Sequence, residues 1–158
     1  DDRVYPAVDV LMKKVEPGNS VVVVGGGLVG CETALWLSQE GKKVTIIEAL
    51  EKLLSVNAPL CHANSDMLRS LIPYNHIQVK TSTTVKQFSN GKVLCQTKDG
   101  EEVIPCDSVV LAVGYDPNRS LYDAIRFDVP GTYLLGDARK VANIMYAIWD
   151  AFEVANGI

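Results

Sequence analysis

The pattern of apolar positions predicts a strand, a helix and a second strand in the first third of the chain. Residues 20–24 form a run of β-branched residues without polar alternation, which indicates a strand buried on both faces of a parallel sheet. Residues 28–40 repeat apolar side chains at helical spacing, and residues 44–47 form another apolar run. These elements predict a right-handed βαβ unit. Apolar positions also predict a second helix over residues 59–72 and a third strand at 77–79.

Residues 83–105 change to alternating apolar and polar positions, the pattern of strands with one buried face. An Asn-Gly and an Asp-Gly pair separate three such segments, and two-residue turns of this composition join antiparallel strands. Residues 107–113 then return to a buried parallel strand. The predicted fold class is therefore α/β, a Rossmann-type parallel sheet with an inserted three-stranded antiparallel meander.

The two ends of the chain carry further amphipathic segments. Residues 6–14 predict a short helix with an apolar side formed by positions 8, 11 and 15. Residues 132–135 predict one more strand, and a long amphipathic helix is predicted from residue 141 to the end. The apolar positions of this terminal helix are Val141, Ile144, Met145, Ile148, Phe152 and Ala155.

The wide apolar face of the terminal helix is not expected to remain in water, because large exposed apolar patches usually find a partner. Either strand 132–135 joins the edge of the sheet and the helix folds over it, or the helix pairs with a second copy of the chain. We expect the second arrangement, a homodimer formed through the terminal helix.

The composition is that of a globular domain without a nucleic-acid or membrane partner. The chain has 158 residues, of which 47% are apolar, and a formal net charge of −4. This balance gives no electrostatic attraction to nucleic acid or to an anionic bilayer. The longest apolar run, residues 21–31, includes the glycine-rich turn and is shorter than the roughly 20 residues of a membrane span.

The cysteines and histidines form no readable metal or catalytic set. The cysteines at positions 31, 61, 95 and 106 include no Cys-x-x-Cys pair. Three of them, at 31, 95 and 106, lie in apolar segments, so we expect them to be buried and reduced, which favours a cytoplasmic location. His62 and His76 stand alone and are expected at the surface. We therefore predict no catalytic residue and no metal ligand in this chain.

A glycine-rich turn joins the first strand of the βαβ unit to its helix and fits the pattern G-x-G-x-x-G. Gly25 permits a sharp turn, Gly27 lets a pyrophosphate approach the main chain, and Gly30 brings the helix close to the strand. The helix dipole and the amides at the helix start, those of Leu28 and Val29 among them, are suited to hold phosphate charge. The alternative is a tight turn without a ligand.

Glu48 follows the second strand of the unit and is the candidate ligand of an adenosine ribose. Its carboxylate can accept hydrogen bonds from ribose hydroxyls, and it would repel the 2′-phosphate of NADP. The sequence therefore predicts NAD(H) as cofactor, with NADH preferred over NADPH. The alternative is a solvated loop carboxylate.

Two other nucleotide-binding classes share parts of the glycine pattern. A Walker A loop needs Gly-Lys-Ser/Thr after its second glycine, whereas Gly30 is followed by Cys31 and Glu32, which argues against ATP or GTP hydrolysis. A methyltransferase also has a glycine-rich turn after its first strand. The full six-residue pattern and the inserted meander argue against that class.

Residues from 18 to 158 resemble flavoproteins with two dinucleotide-binding domains, the relatives of the disulfide reductases. Gly25-x-Gly27-x-x-Gly30-x-Glu32 is similar to their NAD-domain fingerprint, whose extra Glu is rarer in the flavin half. The resemblance therefore favours NAD(H) over FAD at the glycine turn. For Glu32 itself, compensation of the helix dipole is the alternative to a place beside the cofactor.

Two later motifs resemble the flavin half of the same family. Residues 111–118, which include Gly114, resemble the segment that leads back into the flavin domain. Residues 133–137 resemble the motif whose Asp binds the ribityl chain of FAD, which implies that Gly136 and Asp137 take part in FAD binding. The alternative for Asp137 is a simple N-cap of the terminal helix.

Residues 136–152 resemble the end of the NADH:flavin oxidoreductases related to old yellow enzyme, the group of 2,4-dienoyl-CoA and 2-enoate reductases. The resemblance implies a longer enzyme whose preceding domains carry FMN and an iron–sulfur cluster. It also implies three parts: a linker with a short helix (1–17), an NAD(H)-binding domain (18–115) and an incomplete C-terminal segment of a FAD-binding domain (116–158).

The function implied is that of an NAD(H)-binding module that delivers hydride from NADH to a flavin of a larger oxidoreductase. Within such an enzyme the protein supplies binding and alignment, and the cofactors supply the chemistry. The chain alone is expected to be inactive. The alternative is a stand-alone NAD(H)-binding sensor or regulatory domain without catalysis.

Overall fold

The structure is a computed structural model that describes residues 3–55 and 61–158. The chain divides into two units, residues 1–113 and residues 114–158. The first unit contains β1 (Val4–Pro6), α1 (Ala7–Leu11), β2 (Ser20–Val24), α2 (Leu28–Gln39), β3 (Lys43–Ile47), α3 (His62–Tyr74), β4 (Gln78–Lys80), β5 (Thr84–Ser89), β6 (Lys92–Thr97), β7 (Gly100–Pro105) and β8 (Ser108–Leu111). The second unit contains α4 (Ser120–Ile125), α5 (Gly136–Arg139) and α6 (Ile144–Gly157).

The first unit contains a parallel sheet with the strand order β1-β8-β2-β3-β4. β2 lies in its centre, with Val22 level with Val109 of β8 on one side and with Thr45 of β3 on the other. A separate antiparallel sheet is formed by β5, β6 and β7. The predicted fold class, a Rossmann-type parallel sheet with an inserted three-stranded meander, is confirmed.

The valines of β2 face two different cores, which explains why this strand has no polar alternation. Val21 and Val23 pack in a buried cluster with side chains of α2 and α3. Val22 packs in a second cluster with residues of β6 and β7. The helices therefore cover one face of the parallel sheet and the meander covers the other.

The N-terminal prediction of a linker and a helix over 6–14 needs correction. Residues 4–6 form β1, which pairs with β8 at the edge of the parallel sheet. The helix is α1 alone, and it buries Ala7 and Val10, whereas Val8 and Leu11 are exposed. The packing side of so short a helix is set by the adjoining edge strand, which the apolar spacing does not encode.

The second predicted helix, 59–72, corresponds to α3 (His62–Tyr74). Its predicted first residues lie partly outside the described residues, and its last turn continues past Ile72 through Pro73. The strand predicted at 77–79 is β4, shifted by one residue. These differences are confined to element ends, where sequence signals are weakest.

The second unit consists of helices, and the strand predicted at 132–135 is wrong. A strand requires a hydrogen-bonded neighbour, and residues 114–158 contain no other extended segment paired with it. α6 begins at Ile144, because the Asn143 side chain accepts a hydrogen bond from the Tyr146 amide as its N-cap. Within residues 3–55 and 61–158, no helix has both the length and the apolar character needed to cross a membrane.

Candidate functional site

The turn between β2 and α2 requires glycine at its first position. Gly25 has a φ of +106°, a backbone conformation that residues other than glycine rarely adopt. A Cβ placed on it would also lie 2.4 Å from the carbonyl oxygen of Ala112, beyond the end of β8. Its amide donates to the carbonyl oxygen of Ile47 at 2.9 Å, which ties the turn to the end of β3.

Gly30 brings the first turn of α2 against the glycine turn. It is buried, and a Cβ there would lie 1.9 Å from the carbonyl oxygen of Gly25. No side chain fits that space, so the close approach of helix and turn depends on glycine.

Gly27 differs from its neighbours because it faces open space. It is the N-cap residue of α2, with φ −73° and ψ −172°, and a Cβ there would meet no atom within 4 Å. The backbone conformation is therefore open to any residue. Glycine at this position leaves an open cradle beside the main chain.

The cradle adjoins the free amides of the α2 N-terminus. The first bond along the helix runs from the Cys31 amide to the Gly27 carbonyl oxygen at 3.0 Å. The amides of Leu28, Val29 and Gly30 precede it and have no acceptor within the helix. Together with the helix dipole, they form a place for an anionic group.

Glu48 lies beside this turn, where β3 ends. Its Oε2 accepts a hydrogen bond from the Gly26 amide at 2.5 Å, and its Oε1 accepts one from the Leu50 amide at 2.7 Å. A carboxylate can accept about four hydrogen bonds, so both oxygens retain capacity for ligand hydroxyls. The structure thus places Glu48 against Gly26, between Gly25 and Gly27 of the turn.

Three residues without a role in the sequence analysis support this arrangement. The Gly26 carbonyl oxygen accepts hydrogen bonds from the Leu54 amide at 2.8 Å and from Cys31 Sγ at 3.4 Å. Burial, with the carboxylates of Glu48 and Glu32 nearby, raises the pKa of the Cys31 thiol from 9.0 to about 12, so the thiol remains a donor. The available signal was Gly26, the middle one of three consecutive glycines, which the G-x-G spacing does not require.

The Glu32 side chain contacts α3. It is exposed, and its Oε1 accepts a hydrogen bond from Asn64 Nδ2 at 3.3 Å. This bond links α2 to α3. The carboxylate also lies within the first two turns of α2, where negative charge is favourable to the helix dipole.

The second unit holds the remaining candidates, Gly114, Gly136 and Asp137. Gly114 has a φ of +109° and open space at its Cβ position, and Gly136 has a φ of +54°. Asp137 is not the N-cap of the terminal helix: its Oδ1 accepts a hydrogen bond from the Ala142 amide at 3.1 Å. Asp150 holds α5 against α6, since its carboxylate accepts hydrogen bonds from the Gly136 amide at 3.1 Å and from the Arg139 guanidinium at 2.9 Å.

The cysteines and histidines lie as predicted. Cys31, Cys95 and Cys106 are buried free thiols, and Cys61 is exposed. His62 and His76 are exposed. Among the residues that the structure describes, no cluster of three His, Cys, Asp or Glu side chains is arranged to hold a metal ion.

Comparison with known proteins identifies relatives over almost the whole chain. Cinnamate reductase of Clostridium sporogenes is 52% identical over 99% of the chain, and NADH oxidase of Thermoanaerobacter brockii is 35% identical over 96% of it. The solved structure of a complex of 2-naphthoyl-CoA reductase with 2-naphthoyl-CoA matches the whole chain with a TM-score of 0.90 and 27% identity. In each case the match covers 24% of the relative, so the chain spans about a quarter of their length.

The match to a family model also covers almost the whole chain. The pyridine nucleotide-disulphide oxidoreductase family matches residues 2–151, which include the glycine turn, Glu48 and Asp137. The relatives named above are oxidoreductases, in agreement with a redox role for this domain. This chain belongs to the pyridine nucleotide-disulphide oxidoreductase family.

Proposed function

We propose that the first unit binds NAD(H) at the glycine turn. The observation that carries this proposal is the contrast between Gly27, which faces open space, and Gly25 and Gly30, which have no room for a Cβ. The fold therefore uses glycine at position 27 for neither packing nor conformation. A phosphate group that approaches the main chain there accounts for it.

The residues around the turn suit a dinucleotide. The amides of Leu28, Val29 and Gly30 would hold the pyrophosphate, and Glu48 would accept the hydroxyls of the adenosine ribose. A carboxylate at that position disfavours a 2′-phosphate by like-charge repulsion. NADH is therefore the proposed cofactor, in preference to NADPH.

The proposed role is hydride delivery to a flavin within a larger oxidoreductase of the enoate or dienoyl-CoA reductase type. When bound, NADH supplies the hydride, and the residues of this chain bind and orient it. The 52% identity to cinnamate reductase supports this class. FMN and an iron–sulfur cluster rest on the family resemblance alone.

Gly114, Gly136 and Asp137 are proposed to contribute to FAD binding. Both glycines have positive φ, and Gly114 and Asp137 are exposed. One Asp137 oxygen accepts the Ala142 amide, and the other is available to a ribityl hydroxyl.

Fluorescence titration of NADH with the 158-residue chain tests the binding proposal. We expect a saturable signal that ADP-ribose displaces, because the proposed contacts lie on the adenosine and pyrophosphate parts. The absence of saturable binding would contradict the proposal.

Anaerobic mixing of NADH with the full product of the native gene tests the redox role. We expect loss of the oxidised-flavin absorbance, slowed by Gly27→Ala. NADH binding to a product without flavin would instead favour the alternative of a sensor domain.

A further inference from the structure

The main chain of Gly26 joins the glycine turn to the segment after β3 and to α2. Its amide donates to Glu48 Oε2 at 2.5 Å, in the segment that follows β3. Its carbonyl oxygen accepts from the Leu54 amide at 2.8 Å and from Cys31 Sγ, in α2, at 3.4 Å. The N–H and the C=O of Gly26 are therefore both fixed by hydrogen bonds.

The Glu48 carboxylate takes its orientation from main-chain donors. The amides of Gly26 and Leu50 each bind one of its oxygens. Main-chain amides have no rotamers, so the carboxylate position depends on the backbone positions of Gly26 and Leu50. A displaced Gly26 would displace the acceptor that faces the ligand.

Space, rather than backbone conformation, requires glycine at position 26. Gly26 is not among the residues with positive φ, so its backbone would accept alanine. A Cβ there would lie 2.4 Å from Leu53 Cδ2 and 3.0 Å from Glu48 Oε2. Leu53 is a flexible side chain that can move, whereas a shift of the carboxylate by a few tenths of an ångström changes its bond to the Gly26 amide.

We propose that Gly26 is a specificity-determining residue, which positions the Glu48 carboxylate and thereby sets the preference for NADH over NADPH. This inference rests on the proposed NAD(H) site. Gly27 is assigned a different task, since it provides room for the pyrophosphate that both dinucleotides share. The two neighbouring glycines should therefore affect binding in distinguishable ways.

Calorimetric titration of the 158-residue chain with NADH and with NADPH tests the division of tasks. The key variant combines Gly26→Ala with Leu53→Ala, which removes the clash with Leu53 and leaves the contact with Glu48. We expect NADH affinity to fall about tenfold and NADPH affinity to fall much less, so the ratio of the two approaches one. Leu53→Ala alone should keep the ratio of the unsubstituted chain.

Gly27→Ala is the matched control, and it should weaken both dinucleotides by the same factor. Gly26→Ala without the second change is the companion variant, and thermal unfolding shows which variants remain folded. If NADH and NADPH keep their original ratio in both folded Gly26 variants, the inference is wrong while the NAD(H) site stands. If the unsubstituted chain binds neither nucleotide, the proposed function itself fails.

Discussion

Gly30 of α2 lies against the carbonyl oxygen of Gly25, so close that a Cβ on Gly30 would be 1.9 Å from that oxygen. This contact joins the helix to the turn through main chain alone. The obstacle is backbone, which cannot rotate away as a side chain can. The pair therefore fixes the direction in which the α2 amides point.

Gly30→Ala is expected to destabilise the chain by about 1–3 kcal/mol or more, because the added methyl group overpacks a rigid contact. Urea unfolding measures the change. Gly27→Ala is the control, since its methyl group meets open space and its cost should stay within about 1 kcal/mol. Equal stabilities of the two variants would contradict the packing described for Gly30.

Glu48→Gln is expected to reduce the preference for NADH over NADPH by about 1–3 kcal/mol, because the substitution removes the charge that repels a 2′-phosphate. Titration with both nucleotides measures this. Glu51→Gln removes a nearby charge whose partner is Lys98 at 3.8 Å, and it should leave the preference unchanged. If the unsubstituted chain binds both nucleotides equally, Glu48 does not belong to the site.

The buried thiols predict a loss of stability at alkaline pH. Burial raises the pKa of Cys106 to about 11, and burial with nearby carboxylates raises that of Cys31 to about 12, both from 9.0. Above pH 9 the unfolded chain releases these protons first, so the folded state binds more protons and stability falls as pH rises. Below pH 9 this contribution is fully present.

Urea unfolding between about pH 8 and about pH 10.5 measures this dependence. Cys31→Ala should make the decline shallower, since one raised pKa is removed. Cys61→Ala, at an exposed position, should follow the unsubstituted chain. Identical slopes for all three proteins would exclude Cys31 as a source of the effect.

α6 carries an apolar face that supports the predicted homodimer. Ile144, Ile148 and Phe152 are each more than half exposed. Sedimentation of the chain should show a dimer at tens of micromolar, which Ile148→Glu and Phe152→Glu dissociate, whereas Glu153→Gln on the same helix does not. A monomer at that concentration would refute the dimer, and a dimer that persists in both Glu variants would place its interface elsewhere.

The sequence was sufficient to predict the elements whose signals are local. The strand at 20–24, the glycine turn and the helix from Leu28 appear as predicted, because β-branched runs and glycine spacing act over neighbouring residues. The meander could also be predicted, because two Gly-containing turns separate its strands. The candidate residues from Gly25 to Glu48 could be chosen for the same reason.

Contacts between distant segments could not be predicted. β1 is an edge strand of three residues that exists because β8 offers it a partner. The segment 132–135 has similar apolar residues and no partner strand within its unit. The hydrogen bond from the Leu54 amide to the Gly26 carbonyl oxygen joins two segments, and the pattern of apolar residues in them does not predict this contact.

The central claim is that Gly27 is kept free for a dinucleotide, and calorimetric titration of NADH into the unsubstituted chain and Gly27→Ala tests it most directly. The methyl group meets no protein atom within 4 Å, so the variant should unfold at nearly the same urea concentration. We predict saturable binding by the unsubstituted chain and at least tenfold weaker binding by Gly27→Ala, since a pyrophosphate would lose its approach to the main chain, about 1.4 kcal/mol per tenfold change. Equal NADH affinities for the two folded proteins would contradict the account.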